Sequence, residues 1–106
     1  LTRLEGRDSS HLPIWAEPDS LAGMQERHEA LRSDFERYLS ALDDDGLDAE
    51  IEYRNQSGKT FRNTVRDILL HVAMHGQYHR GQINQLLRGA GLEPISVDYI
   101  VFVREP

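Results

Sequence analysis

The stretch "NTVRDILLHVAMHGQYHRGQINQLLRGAG", Asn63 to Gly91, decides what kind of fold this chain can adopt. Along it the positions Val65, Ile68, Val72, His75, His79, Gln82 or Ile83, and Leu86 recur at steps of three and four. That is the period of an α-helix with one face turned to a core. Asn63 or Thr64 can cap its start, and Asp67 falls in the first turns, where a carboxylate suits the positive end of the helix dipole. Gly89 and Gly91 supply left-handed stop positions, Leu92 can make the accompanying apolar contact, and Pro94 prevents the helix from resuming. The pattern predicts a helix of more than about twenty residues.

Two histidines occupy core positions of that stripe. At ~100° per residue, His79 falls near the centre of the apolar face, His75 lies ~40° from it, and His71 lies ~80° away, toward the flank. Residues four apart on a helix have Cβ atoms ~6 Å apart, so His75 and His79 can converge on one ion at ~2.0 to 2.1 Å from each nitrogen. His71 and His79 are ~12 Å apart along the axis, which sets aside all three on one ion and leaves His71 at the rim. The competing reading is a pair of core or surface histidines with ordinary hydrogen bonds. Burying two unsatisfied imidazoles side by side is costly, and a shared ion would satisfy both. Tyr78 can donate a proton near the pair or simply pack, and Arg80 is expected at the surface. Gly76 and Gly81, each costing ~1 kcal/mol inside a helix, imply close approach by another backbone or room for a ligand.

Working outward, Asp19 or Ser20 can cap an earlier helix after Pro13 and Pro18. Its stripe is Leu21, Met24, Leu31, Phe35, Tyr38, Leu39 and Leu42, with His28 on the same face as a core or boundary histidine. Gly46 supplies the stop, and Asp43, Asp44 and Asp45 read as a solvated helix end and loop, although carboxylates there oppose the dipole. Between the helices, Ile51 and Tyr53 alternate with Glu52 and Arg54. A turn at Gln56-Ser57-Gly58-Lys59 follows, and Thr60-Phe61 returns the chain as a short hairpin that must lean on the helices. The last stretch, "ISVDYIVFVREP", fits a strand by its β-branched residues and equally a closing helical turn capped by Asp98.

Composition narrows the function classes. At 106 residues the chain fits one small domain. Its formal net charge of −6 opposes the phosphate neutralisation on which sequence-independent nucleic-acid binding depends, so nucleic acid is not expected as a partner. With no cysteine there is neither a disulfide framework nor a thiolate metal site, so a metal would be held by His, Asp or Glu. That fits a cytoplasmic protein. No apolar run of ~18 residues occurs, and no membrane partner is expected.

The sequence "HVAMHGQYHRGQINQLLRGAG", preceded by "YRNQSGKTFRNTVRDILL", resembles the DinB family, whose signature is close to His-x-x-x-His-x-x-x-His-Arg-Gly-Gln on its last long helix, followed by Leu-Leu-Arg and a glycine stop. The likeness is dense from about Ile51 to Gly91. "LTRLEG" resembles the end of the family's second helix, and "DYIVFVRE" its C-terminal segment. The resemblance implies an all-α fold, a four-helix bundle with a small β-hairpin before the last long helix. This chain, 1–106, would carry the later half of that bundle as an N-terminally incomplete domain. It also implies a divalent ion (Zn, Ni, Mn or Fe) held by three histidines. Two of these match His75 and His79, and the third belongs to the family's second helix, before Leu1. His11, His28, His71, an acidic residue or a neighbouring chain are the substitutes within reach. Left without the rest of the bundle, the apolar stripes predict a homodimer.

A histidine-held ion with an open position can lower the pKa of a bound water or thiol. No Glu follows the first histidine of the pair, so the general base of the His-Glu-x-x-His peptidases is absent. The resemblance points instead to a metal-dependent enzyme acting on a small molecule, with S-transfer to or from a low-molecular-weight thiol as its most concrete reaction and hydrolysis as another. The alternative is a non-catalytic metal-binding stress-response module that acts as a homodimer. The family's damage-inducible name invites a DNA-binding reading, which the acidic balance disfavours.

Overall fold

Ser20 opens the first helix. The computed structural model describes residues 1–6 and 20–104, and its contacts divide the chain into two units, Leu1–Ile68 and Leu69–Pro106. It is mostly helical, with one two-stranded antiparallel hairpin directly before the longest helix, as the sequence predicts.

In the first unit, helix α1 spans Leu21–Ser40, with the Ser20 hydroxyl accepting the Gly23 N–H at 3.0 Å. Asp19, Pro13 and Pro18 lie outside the described residues. The expected run of α1 through Leu42 to a stop at Gly46 is corrected: α1 ends at Ser40, and a separate short helix, α2, spans Asp44–Asp48. The acidic run explains the break. Asp43 caps α2, its carboxylate accepting the Gly46 N–H at 2.7 Å, and Asp44 and Asp45 fill the first turn. Carboxylates that would oppose the dipole at the end of α1 favour it at the start of α2.

The apolar stripe of α1 is not buried. Leu21 is 83% exposed and none of the helix's residues is buried, while Phe35 and Tyr38 are half-covered. His28, expected at a core or boundary position, is exposed.

Strands β1, Glu50–Arg54, and β2, Thr60–Thr64, pair antiparallel with Tyr53 opposite Phe61 and Glu52 opposite Arg62. The tyrosine and phenylalanine rings stack at 6.1 Å, and Arg62 reaches Glu52 at 3.1 Å. The Asn55 side chain closes the turn by accepting from the Lys59 N–H and the Ser57 hydroxyl, and Gly58 takes the positive φ of 80° that the turn needs. The hairpin hands directly to helix α3, Val65–Gly89. Thr64, the last residue of β2, is also the cap of α3, its Oγ1 accepting the Asp67 N–H at 3.1 Å. Val65 is buried and donates its N–H to the Ala49 carbonyl, and Arg66 grips Asp48 through two nitrogens at 3.0 and 3.1 Å.

In the second unit, α3 ends as its glycines predict. The Leu92 N–H donates to the Leu87 carbonyl, the Gly91 N–H to the Arg88 carbonyl, and Gly91 sits at φ 75°. These are the paired bonds of a Schellman motif. The chain then returns along the helix, held by side chains of α3. Asn84, the buried polar residue here, donates to and accepts from the backbone of Ile95 at 2.7 and 3.0 Å, and Gln77 donates to the Val97 carbonyl. Within the ambiguous C-terminal stretch, Tyr99–Arg104 form a helix, α4.

Candidate metal centre on helix α3

An unbroken helix carries residues four apart to one side, so the middle of α3 presents His71, His75 and His79 as a column. The pair singled out by spacing is brought together: His75 Nε2 and His79 Nε2 lie 2.9 Å apart, with their rings 4.5 Å apart and nearly perpendicular. His71 stays at the edge, where its ring stacks on that of His75 at 5.2 Å and 22°.

Two further residues complete the cluster. Gln82 Oε1 lies 3.0 Å from His79 Nδ1, and Gln82 Nε2 donates to the Tyr78 hydroxyl at 3.2 Å. The Tyr78 ring rests against both histidines, 6.3 Å from His75 and 5.5 Å from His79. A carboxamide oxygen only accepts, so the contact of Gln82 Oε1 with Nδ1 is a hydrogen bond in the Nδ1–H tautomer of His79. In that tautomer His79 Nε2 keeps its lone pair and can accept from His75 Nε2–H.

The separation of the two nitrogens matches that of two ligands on one divalent ion. Two nitrogens each ~2.05 Å from one ion stand ~2.9 to 3.4 Å apart for angles of about 90 to 110° at the metal, and the pair already stands at 2.9 Å. Among the described residues, no group of three His, Asp, Glu or Cys side chains is placed to hold an ion. His11 lies outside the described residues.

Three expectations about this region change. His71, His75 and His79 are exposed, where core burial was expected for the pair; the apolar residues that alternate with them, such as Val72 and Leu86, are exposed too. Of the two reasons for Gly76 and Gly81, close approach by another backbone is not seen, while Gly81 has open space beside it. A Cβ at Gly76 would meet only the flexible Arg80 guanidinium, and one at Gly81 would meet nothing within 4 Å. Gln82, placed by the sequence on the helical stripe without a chemical role, is the partner of both His79 and Tyr78. The signal for it was its spacing, three residues after one and four after the other.

A concavity in the first unit, lined by Leu1, Glu5, Asp34, Arg37 and Tyr38, carries no comparable chemistry. Arg37 pairs with Asp34 at 3.4 Å, and burial, then the Glu5 carboxylate, push the Tyr38 phenol above its usual range.

Fold and site together define a helical protein with a histidine pair on its longest helix. Its sequence matches the DinB family over residues 2–105, and the chain belongs to that family. It is 36% identical over 69 residues to the protein DinB of Bacillus subtilis (strain 168), an alignment covering 64% of this chain and 40% of that relative. No solved structure matches it. No helix among the described residues is long and apolar enough to cross a membrane.

Proposed function

We propose that this chain is part of a cytoplasmic, divalent-metal-dependent DinB enzyme acting on a small molecule, with His75 and His79 as two of the ligands. The observation that carries this reading is the 2.9 Å approach of two Nε2 atoms on successive turns of one helix. An ion held there would supply Lewis acidity to a bound oxygen or sulfur. Zn, Ni, Mn and Fe are all compatible with imidazole ligands, and two nitrogens do not choose among them. The family resemblance implies a third histidine ligand and a four-helix bundle, and His75 and His79 account for two of the three ligands. A low-molecular-weight thiol is the substrate class we favour, on that resemblance alone.

A second reading is a non-catalytic metal-binding module of the stress response that acts as a homodimer. It is favoured by the apolar side chains left exposed on α3 and α4, among them Leu70, Met74, Ile83 and Phe102.

Elemental analysis of protein purified without a histidine tag, for the wild type, His75→Ala and His79→Ala, tests the metal. One stoichiometric ion in the wild type, absent from both variants, is expected. A wild type that takes up none after incubation with zinc, nickel and manganese would return the histidines to a structural role. Consumption of a small thiol by the loaded protein separates the first reading from the second.

A further inference from the structure

The spacing of the histidines does not determine which nitrogen of each ring faces the other; the hydrogen bonds behind them do. We propose that Gln82 is a positioning residue for the pair, holding the His79 ring in the tautomer that presents a bare Nε2 to an ion. This rests on the metal reading above and deepens it by assigning a role to a residue that is not itself a ligand.

A neutral imidazole has one N–H and one lone pair, and the partner at one nitrogen decides what the other presents. His79 Nδ1 faces Gln82 Oε1 at 3.0 Å. The other end of the amide, Nε2, donates to the Tyr78 hydroxyl at 3.2 Å, which anchors the Gln82 side chain beside the ring. Tyr78, Gln82, His79 and His75 thus form a directed chain that ends in the Nε2 to Nε2 contact at 2.9 Å. All four lie on α3, each bonded to a residue three or four positions away, so the device depends on the helix alone. With the amide turned over, the polarity reverses throughout. Gln82 would donate to Nδ1, His79 Nε2 would carry the proton, and no lone pair would face an ion from that ring. The wild-type tautomer therefore tests the assignment directly.

Without the glutamine, either histidine can donate to the other, and an ion must first select the competent form. Loss of a residue that orients a ligand in this way typically weakens metal binding ~10- to 100-fold. A carboxylate in its place accepts from Nδ1–H at least as well.

The measurement uses the whole chain, 15N-labelled, at a pH where the ring 15N shifts show the imidazoles to be neutral. Long-range 15N–1H correlation spectra read the tautomer of each histidine, with His79 assigned by its loss in His79→Ala. Zinc titration by calorimetry reads affinity on the same samples. The wild type is expected to hold His79 mainly as Nδ1–H. Gln82→Ala is expected to shift it to a mixture and weaken zinc binding ~10- to 100-fold, with Gln82→Glu restoring both. Tyr78→Phe, which removes only the outer anchor of the amide, is expected to produce a smaller shift in the same direction. A wild-type His79 protonated at Nε2, or an Nδ1–H population unchanged in Gln82→Ala, overturns the proposal, as does a changed tautomer with unchanged zinc affinity. If the wild type binds no zinc, the metal reading fails, and with it the role toward an ion. The tautomer comparison in the ion-free protein still decides separately whether Gln82 orients His79.

Discussion

The ends and the middle of helix α3 are held in opposite ways. At the front, Thr64 caps the helix, Val65 is buried and Arg66 binds Asp48. At the back, Asn84 and the Schellman bonds to Leu87 and Arg88 tie down the following chain. Between them, the polar side chains of the histidine column bond to one another, and the apolar residues beside them face water. The contrast separates two jobs. The ends stabilise the helix and its neighbours, while the exposed hydrogen bonds of the middle compete with water and contribute little to folding.

Substitutions should therefore sort by region. The largest effect belongs to the middle: His75→Ala or His79→Ala should abolish metal uptake, beyond the ~10- to 100-fold that losing an orienting partner costs, while leaving the melting temperature of the ion-free protein nearly unchanged. An ion-free melting temperature that collapses in either variant would break the division of labour. At the front, Val65→Ala removes about two buried carbon atoms and should cost about 2 kcal/mol in urea unfolding without altering the His79 tautomer. At the back, Asn84→Ala deletes two bonds to the Ile95 backbone, and an expected loss of about 1 to 2 kcal/mol should come with faster amide exchange at Ile95. Thr64→Ala should cost about 1 kcal/mol, with the first turn of α3 fraying by hydrogen exchange and Thr64→Ser recovering most of it. If the front substitutions weaken zinc binding as much as those in the middle do, the regions are coupled and the comparison fails.

How much of this was legible depended on how local the cause was. Both ends of α3 follow from residues within a few positions of the boundary: a threonine three before an acceptable N–H, a glycine able to adopt positive φ, an apolar residue after it. The hairpin is equally local, with Asn55 and Gly58 closing a turn between alternating strands. The end of α1 is instructive because the sign was present and assigned to the wrong helix. Asp43 looked like an unfavourable C-terminus when it was the N-cap of α2, and the two roles differ only in which way the following backbone turns. The C-terminal segment was undecided because β-branched residues and an Asp at its head serve strand and helix alike. Among the site residues, the approach of His75 to His79 was readable from helical geometry. The role of Gln82 was not, since helical spacing says which side chains can meet and not which rotamers bring donor to acceptor.

By itself the sequence determined membership of the DinB family, the helical class with its hairpin, both limits of α3 and the identity of the paired histidines, because each rests on short-range periodicity, capping or motif. Only the tertiary structure decided that the imidazoles stand exposed, that Asn84 fastens the chain after α3, that α4 is a helix, and that Gln82 links Tyr78 to His79. Burial and hydrogen-bond direction depend on what arrives from elsewhere in space, and a one-dimensional pattern carries no record of that.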